Sequence, residues 1–174
     1  MSKSFIKILI ILFFISLNSH AKSDVPYFLD FKYILNQSEA GKKAQAFLKN
    51  KLEKGVNSLQ EKEKKIQQEE KKIISQKKVL SEEEYKKKVS ELRKKVSLLQ
   101  KERSSLLNSV ANQRQQARNE LLKNLNPIIK DYMNEKKIRM VVDKKSLLLA
   151  DENLDITNDI IALLNKKLKT IKLN

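Results

Sequence analysis

Leu80-Ser81-Glu82-Glu83-Glu84-Tyr85 interrupts a chain that otherwise reads as two long helices. Ser81 followed three residues later by Glu84 is a capping box: the hydroxyl accepts from the Glu84 amide while the carboxylate reaches back to the Ser81 amide. Leu80 and Tyr85 stand where a hydrophobic staple forms, and three glutamates suit the positive end of a helix dipole. With no Gly or Pro nearby, one continuous helix through Ser81 is the alternative. The coincidence of cap, staple and acidic first turn favours a turn near Lys77 to Ser81.

Upstream, Lys42 to Gln76 is mostly Lys, Glu, Gln, Leu and Ile, and Leu52, Leu59, Ile66, Ile73 and Leu80 recur every seven residues. That is a coiled-coil seam. Its second stripe, Leu48, Gly55, Lys62, Glu69 and Gln76, is mostly polar, so the helix packs along a narrow line. Downstream a stronger heptad runs through Tyr85, Val89, Leu92, Val96, Leu99, Arg103, Leu106, Val110, Gln113 and Ala117. The simplest partner for each is the other, folded back as an antiparallel hairpin. Arms of about 40 residues would reach roughly 60 Å at 1.5 Å per residue. So thin a hairpin bends and frays easily.

Composition agrees with long helices. Among 174 residues there are only two glycines, Gly41 and Gly55, and two prolines, Pro26 and Pro127. There is no cysteine, which excludes a disulfide framework, a thiolate nucleophile and a Cys-based zinc site.

Beyond Pro127 the texture changes. Ile138 to Val142, Asp143 to Ser146 and Leu147 to Ala150 read as strand, polar turn and strand. Asp155 or Thr157 is the expected cap of a last helix with Ile160, Leu164, Leu168 and Ile171 on one face. Val25 to Asp30 is short, aromatic and extended and is expected to pair with the C-terminal strands, while Phe31 to Leu35 suits a helical turn. Pro26 donates no ladder hydrogen bond and belongs at an edge or strand start. The fold class is therefore α+β and predominantly helical. A β body from residues 22–37 and 136–174 carries a hairpin arm over 38–135 with its tip near 77–84. About three strands per chain make a marginal sheet that invites completion by other subunits.

The N-terminus reads as a secretory signal peptide, residues 1–21. Lys3 and Lys7 precede an apolar run from Ile8 to Leu17, and Ser19-His20-Ala21 fits cleavage after Ala21. The rival, an uncleaved anchor, requires about 20 apolar residues. Cleavage removes His20, the only histidine, and with it the usual general base and commonest metal ligand. Two glycines cannot build a phosphate loop. The expectation is a non-enzyme with no cofactor and no metal.

Charge narrows the partners. Residues 42–80 carry 12 basic and 5 acidic side chains and residues 82–118 carry 10 and 5, within a chain of net charge +16. Such arms attract polyanions. Nucleic acid fits the charge, but export removes it and the arms lack interleaved aromatics for stacking. A membrane-surface helix needs a broader apolar face. A coiled-coil envelope protein binding an anionic surface, a passive spacer and a holdase remain.

The signal peptide, Tyr33-Ile34-Leu35-Asn36-Gln37-Ser38-Glu39-Ala40-Gly41-Lys42, the tip Leu80 to Tyr85, and Met140-Val141-Val142-Asp143-Lys144 through Leu154-Asp155-Ile156-Thr157 to Leu164-Asn165 together resemble the Skp/OmpH family of periplasmic chaperones. The resemblance implies a homotrimer in which three sets of strands form a β-barrel body and three hairpins hang from it as tentacles around a cavity. It further implies a periplasmic, ATP-independent holdase for unfolded outer-membrane β-barrel proteins, with anionic lipid or lipopolysaccharide as a further partner. The chain departs from that pattern in its short N-terminal strand, only Lys22-Ser23-Asp24 preceding Val25. Client contact is expected over the diffuse surface of the arms, and no single binding residue stands out among so many lysines.

Overall fold

In the computed structural model, which describes residues 25–173, one long helix belongs to both halves of the molecule. Strand β1 (Tyr27–Leu29) leads into α1 (Phe31–Gln37) and α2 (Glu39–Ser75); after the tip come α3 (Glu82–Lys136), β2 (Val141–Asp143), two 3-10 turns and α4 (Thr157–Lys167). Helix α3 has 55 residues against 37 in α2, and in a register that puts Lys51 beside Gln113 and Lys62 beside Glu102 about 17 Å of its C-terminal end runs past the start of α2 at 1.5 Å per residue. The C-terminal part of α3 enters the body: Leu121, Leu125 and Ile128 join Leu29, Ile34, Ala40, Ile156, Ile160 and Leu164 in one core. The expected signal segment, residues 1–21, lies outside the described residues.

The hairpin is antiparallel. Lys51 meets Gln113, Lys62 meets Glu102 and Glu69 meets Lys95, partners that climb one helix as they descend the other. Ser38 alone separates α1 from α2. Its amide donates to the Ile34 carbonyl at 3.0 Å and its hydroxyl accepts from the Gly41 amide at 3.2 Å, closing one helix and opening the next. The turn is tight enough that a Cβ on Gly41 would stand 1.9 Å from the Leu35 carbonyl oxygen. Pro127 sits inside α3 on an exposed face, so its missing donor to the Lys123 carbonyl leaves no buried carbonyl unpaired.

The sheet has two strands, parallel, with Tyr27 opposite Val141 and Leu29 opposite Asp143. The whole hairpin is the crossover between them. Pro26 falls just before β1, and the ladder opens with the Tyr27 amide donating to the Met140 carbonyl at 3.1 Å. Asp155 adds a parallel bridge to Phe28, whose carbonyl accepts from the Ile156 amide at 2.9 Å.

Four local expectations are corrected. Leu147 to Ala150 is not a strand, because among the described residues no strand edge reaches it, and Leu148 and Leu149 are almost wholly exposed. The first C-terminal strand is shorter than Ile138 to Val142, since Ile138 is used to end α3. There Lys137 adopts the left-handed conformation (φ 56°, ψ 35°), its amide donates to Asn134 at 3.4 Å, and the Ile138 amide donates to Met133 at 2.8 Å, a Schellman end without glycine. The backbone cap of α4 is Ile156, rather than Asp155 or Thr157. Asp155 accepts from the Thr157 amide at 2.9 Å, and the Thr157 hydroxyl accepts from the Asp30 amide at 2.8 Å, which ties α4 to β1. Finally, α4 stops at Lys167, so Leu168 and Ile171 pack on the core from beyond its end.

Candidate functional site

The arm is the part of the molecule built for contact, and its seam explains why. Leu59, Ile73, Leu99 and Val110 are buried, while Leu52, Ile66 and Leu92 are only half-buried and Val96 is exposed. Between these rungs the polar seam positions find each other. Lys62 lies 2.5 Å from Glu102, Lys95 lies 2.6 Å from Glu69, and Arg103 lies 3.3 Å from Glu63. Lys51 donates to Ser109 at 3.0 Å and to buried Gln113 at 2.9 Å. The ion pairs are between a third and a half exposed, so each contributes about 0–1 kcal/mol. They set register more than they add stability. Sequence periodicity marks Lys62 and Glu69 as weak points of the second stripe; their cross-arm partners depend on the register of the hairpin.

Gly55 occupies the same weak stripe for a different reason. A Cβ there would lie 2.5 Å from Leu106 Cδ2, so the glycine lets α3 seat Leu106 against the backbone of α2.

At the tip the capping box forms as the residue types require. The Ser81 hydroxyl donates to Glu84 at 2.7 Å, the Ser81 amide donates to the same carboxylate at 3.1 Å, and the Glu84 amide donates back to the Ser81 oxygen at 3.3 Å. These bonds to Ser81 hold the Glu84 carboxyl below its usual range. Lys77 sits 5.8 Å above the Tyr85 ring.

Outside the seam, the arm surface mixes cations with apolar side chains that stay about half or more exposed in the single chain. Val79 is 81% exposed and Ile74 is 61% exposed at the tip, and Phe47, Leu98 and Leu107 are about half exposed along the shafts. The heptad reading assigned none of these positions to the seam, and they became visible only once the seam was fixed.

Where the arm meets the body, α1, α2 and α3 enclose an open cleft of about 760 Å³. Its floor is Leu35, Ala44, Leu48, Val110, Ala117 and Leu121, and Lys42, Lys49, Arg114 and Arg118 stand at its rim. No carboxylate lines it.

The body holds the arm's root through polar contacts to Glu39. Asn165 on α4 accepts from the Glu39 amide at 2.8 Å, and Lys169 pairs with the Glu39 carboxylate at 3.2 Å. Lys144 lies 3.0 Å from Asp155 and 5.5 Å above the Phe28 ring. Burial alone would raise the Asp155 carboxyl, but the Thr157 hydrogen bonds and Lys144 outweigh it and leave that carboxyl below its usual range. Tyr132 donates to Asp159, and that bond, with burial and the acid's charge, pushes the phenol up to about 12. Among the described residues, no group of three or more His, Cys, Asp or Glu is placed to hold a metal ion, and no helix is long and apolar enough to cross a membrane.

This architecture has a family. The family model for outer membrane proteins of the OmpH-like type matches residues 27–164, and the chain belongs to the OmpH-like family. An OmpH-like protein of Caulobacter crescentus CB15, whose name assigns it provisionally as an outer membrane chaperone, has the same fold, with a TM-score of 0.80 over 86% of this chain and 90% of its own at 20% identity. No curated protein matches the sequence.

Proposed function

We propose that this protein is an ATP-independent periplasmic holdase: as a homotrimer it encloses unfolded outer-membrane β-barrel proteins between its arms and keeps them unaggregated before membrane insertion. The observation that carries this reading is the arm surface. A two-helix shaft with a narrow seam presents half-exposed Phe47, Leu98 and Leu107 among a strong excess of lysine and arginine. Scattered apolar groups offer many weak, adaptable contacts, and the cations accelerate encounter more than they tighten the complex. The task needs no catalytic group. The name of the Caulobacter protein and the family match support a chaperone role, and the exposed Leu148-Leu149 segment supports completion of the small sheet by neighbouring copies.

Analytical ultracentrifugation tests the proposal. An unfolded β-barrel protein diluted from urea into the chain beginning at Lys22, without nucleotide, is expected to sediment as a soluble complex with three copies of the chain. A folded monomer at micromolar concentration, or a trimer that leaves the client in the pellet, contradicts it and favours an envelope protein bound to an anionic surface.

A further inference from the structure

We propose that the cleft at the root of the arm is a binding site for extended segments in which large apolar side chains alternate with carboxylates; this deepens the holdase reading and rests on it. The cleft falls within the roughly 300–1,000 Å³ of ordinary ligand sites, at about 760 Å³. Its floor is apolar and its rim carries four cations. Among the described residues Lys42, Arg114 and Arg118 have no carboxylate within 4.0 Å, Lys49 meets only Glu53, at 3.8 Å, and the lining itself holds no acid. Uncompensated cations around an apolar floor complement a ligand that is apolar on one side and anionic on the other.

Spacing selects an extended peptide. Arg114 and Arg118 are one helical turn apart, about 6 Å along α3. Side chains two residues apart on one face of an extended strand are spaced by about 6.6 Å. A strand laid along the groove would press its apolar face on Leu35 and Leu52, the half-buried leucines of the lining, and offer successive carboxylates to the two exposed guanidiniums. A transmembrane β-strand has this period-two alternation.

The test uses the full mature chain and three labelled peptides, read by fluorescence anisotropy: alternating Leu and Asp, alternating Leu and Lys, and alternating Ser and Asp. The Leu/Asp peptide is expected to bind at least about tenfold more tightly than either comparator, a difference of about 1.4 kcal/mol. The double variant Arg114→Glu, Arg118→Glu is expected to weaken it about tenfold, whereas Lys64→Glu, Lys65→Glu, an equal charge change at exposed positions farther along the arm, is expected to change it less than about twofold. Equal losses in the two variants, or equal binding of the Ser/Asp peptide, overturn the proposal. Because the chain has no cysteine, an environment-sensitive dye on Ala46→Cys at the cleft gives a second readout, expected to shift with Leu/Asp peptide while a dye on Gln67→Cys does not. A dye response to laurate with none to peptide would reassign the cleft to a free amphiphile and overturn the proposal. Failure of the wild-type chain to hold an unfolded β-barrel protein soluble sinks the holdase reading; an intact complex with unchanged peptide affinity in the Arg114/Arg118 variant sinks the cleft alone.

Discussion

The side-chain oxygen of Asn165 lies 2.8 Å from the amide nitrogen of Glu39 and accepts its hydrogen bond, so the last helix of the chain satisfies the first turn of the arm. The amide groups at a helix start have no partner within the helix. Ser38 serves the Gly41 amide and Asn165 serves the Glu39 amide, and residues 126 apart in sequence thereby fix where the arm leaves the body.

Asn165→Ala is expected to cost about 1 kcal/mol of stability in urea unfolding, the scale of a lost helix-start hydrogen bond. Asn165→Asp keeps an acceptor at the positive end of α2 and is expected to retain most of it. Equal losses in both variants would show that the contact contributes through shape alone.

Lys137→Gly is expected to stabilise the protein by about 1 kcal/mol, since Lys137 holds a left-handed conformation that costs a side-chain-bearing residue and is free for glycine. The midpoint of urea unfolding should rise. A fall would mean that the Lys137 side chain outweighs its backbone cost.

The two glycines are expected to respond differently to alanine. Gly41→Ala would drive a Cβ to 1.9 Å from the Leu35 carbonyl, backbone that cannot yield, and should cost about 3 kcal/mol or more. Gly55→Ala meets only the end of the flexible Leu106 side chain at 2.5 Å, and its overpacking is offset by about 1 kcal/mol of helix propensity. Its net change should stay within about 1 kcal/mol. Thermal melts of the pair decide it.

The Tyr132 phenol should titrate near pH 12 in an ultraviolet absorbance titration, and Asp159→Asn should bring it back toward 10. A phenol whose pKa is raised on folding contributes stability that is complete below pH 10 and is lost as the pH rises toward 12. Tyr132→Phe should remove the late phase; its persistence would assign the shift elsewhere.

Much of this architecture could be read from residue types because it rests on local chemistry. The capping box at Ser81 and Glu84, the heptad through Leu59 and Ile73, and the pairing of the Tyr27 segment with Val141 and Val142 are written in spacing and residue class. What escaped depends on register or on rare backbone. Lys137 ends a helix where glycine is the usual signal, so the boundary carried no mark. The Leu147 to Ala150 run has the composition of a strand, but a strand also needs a neighbouring edge, and composition does not reveal whether one is there. The cleft joins Leu48 to Val110 and Ala117 across the hairpin, and only the register of α2 on α3 brings its floor and its four cations together.

Arms with a narrow seam should open before the body does. Amide hydrogens in residues 50–110 are expected to exchange faster than those of fully buried Ile34, Ile160 and Leu164. Uniform protection would describe a rigid spacer.

Light scattering tests the central claim most directly. A urea-unfolded outer-membrane β-barrel protein is diluted into buffer with and without the chain beginning at Lys22, with no nucleotide, at low and high salt. The holdase reading predicts that scattering is suppressed at about one trimer per client and that suppression weakens at high salt as the basic arms are screened. Undiminished scattering in the presence of a well-folded trimer would contradict it.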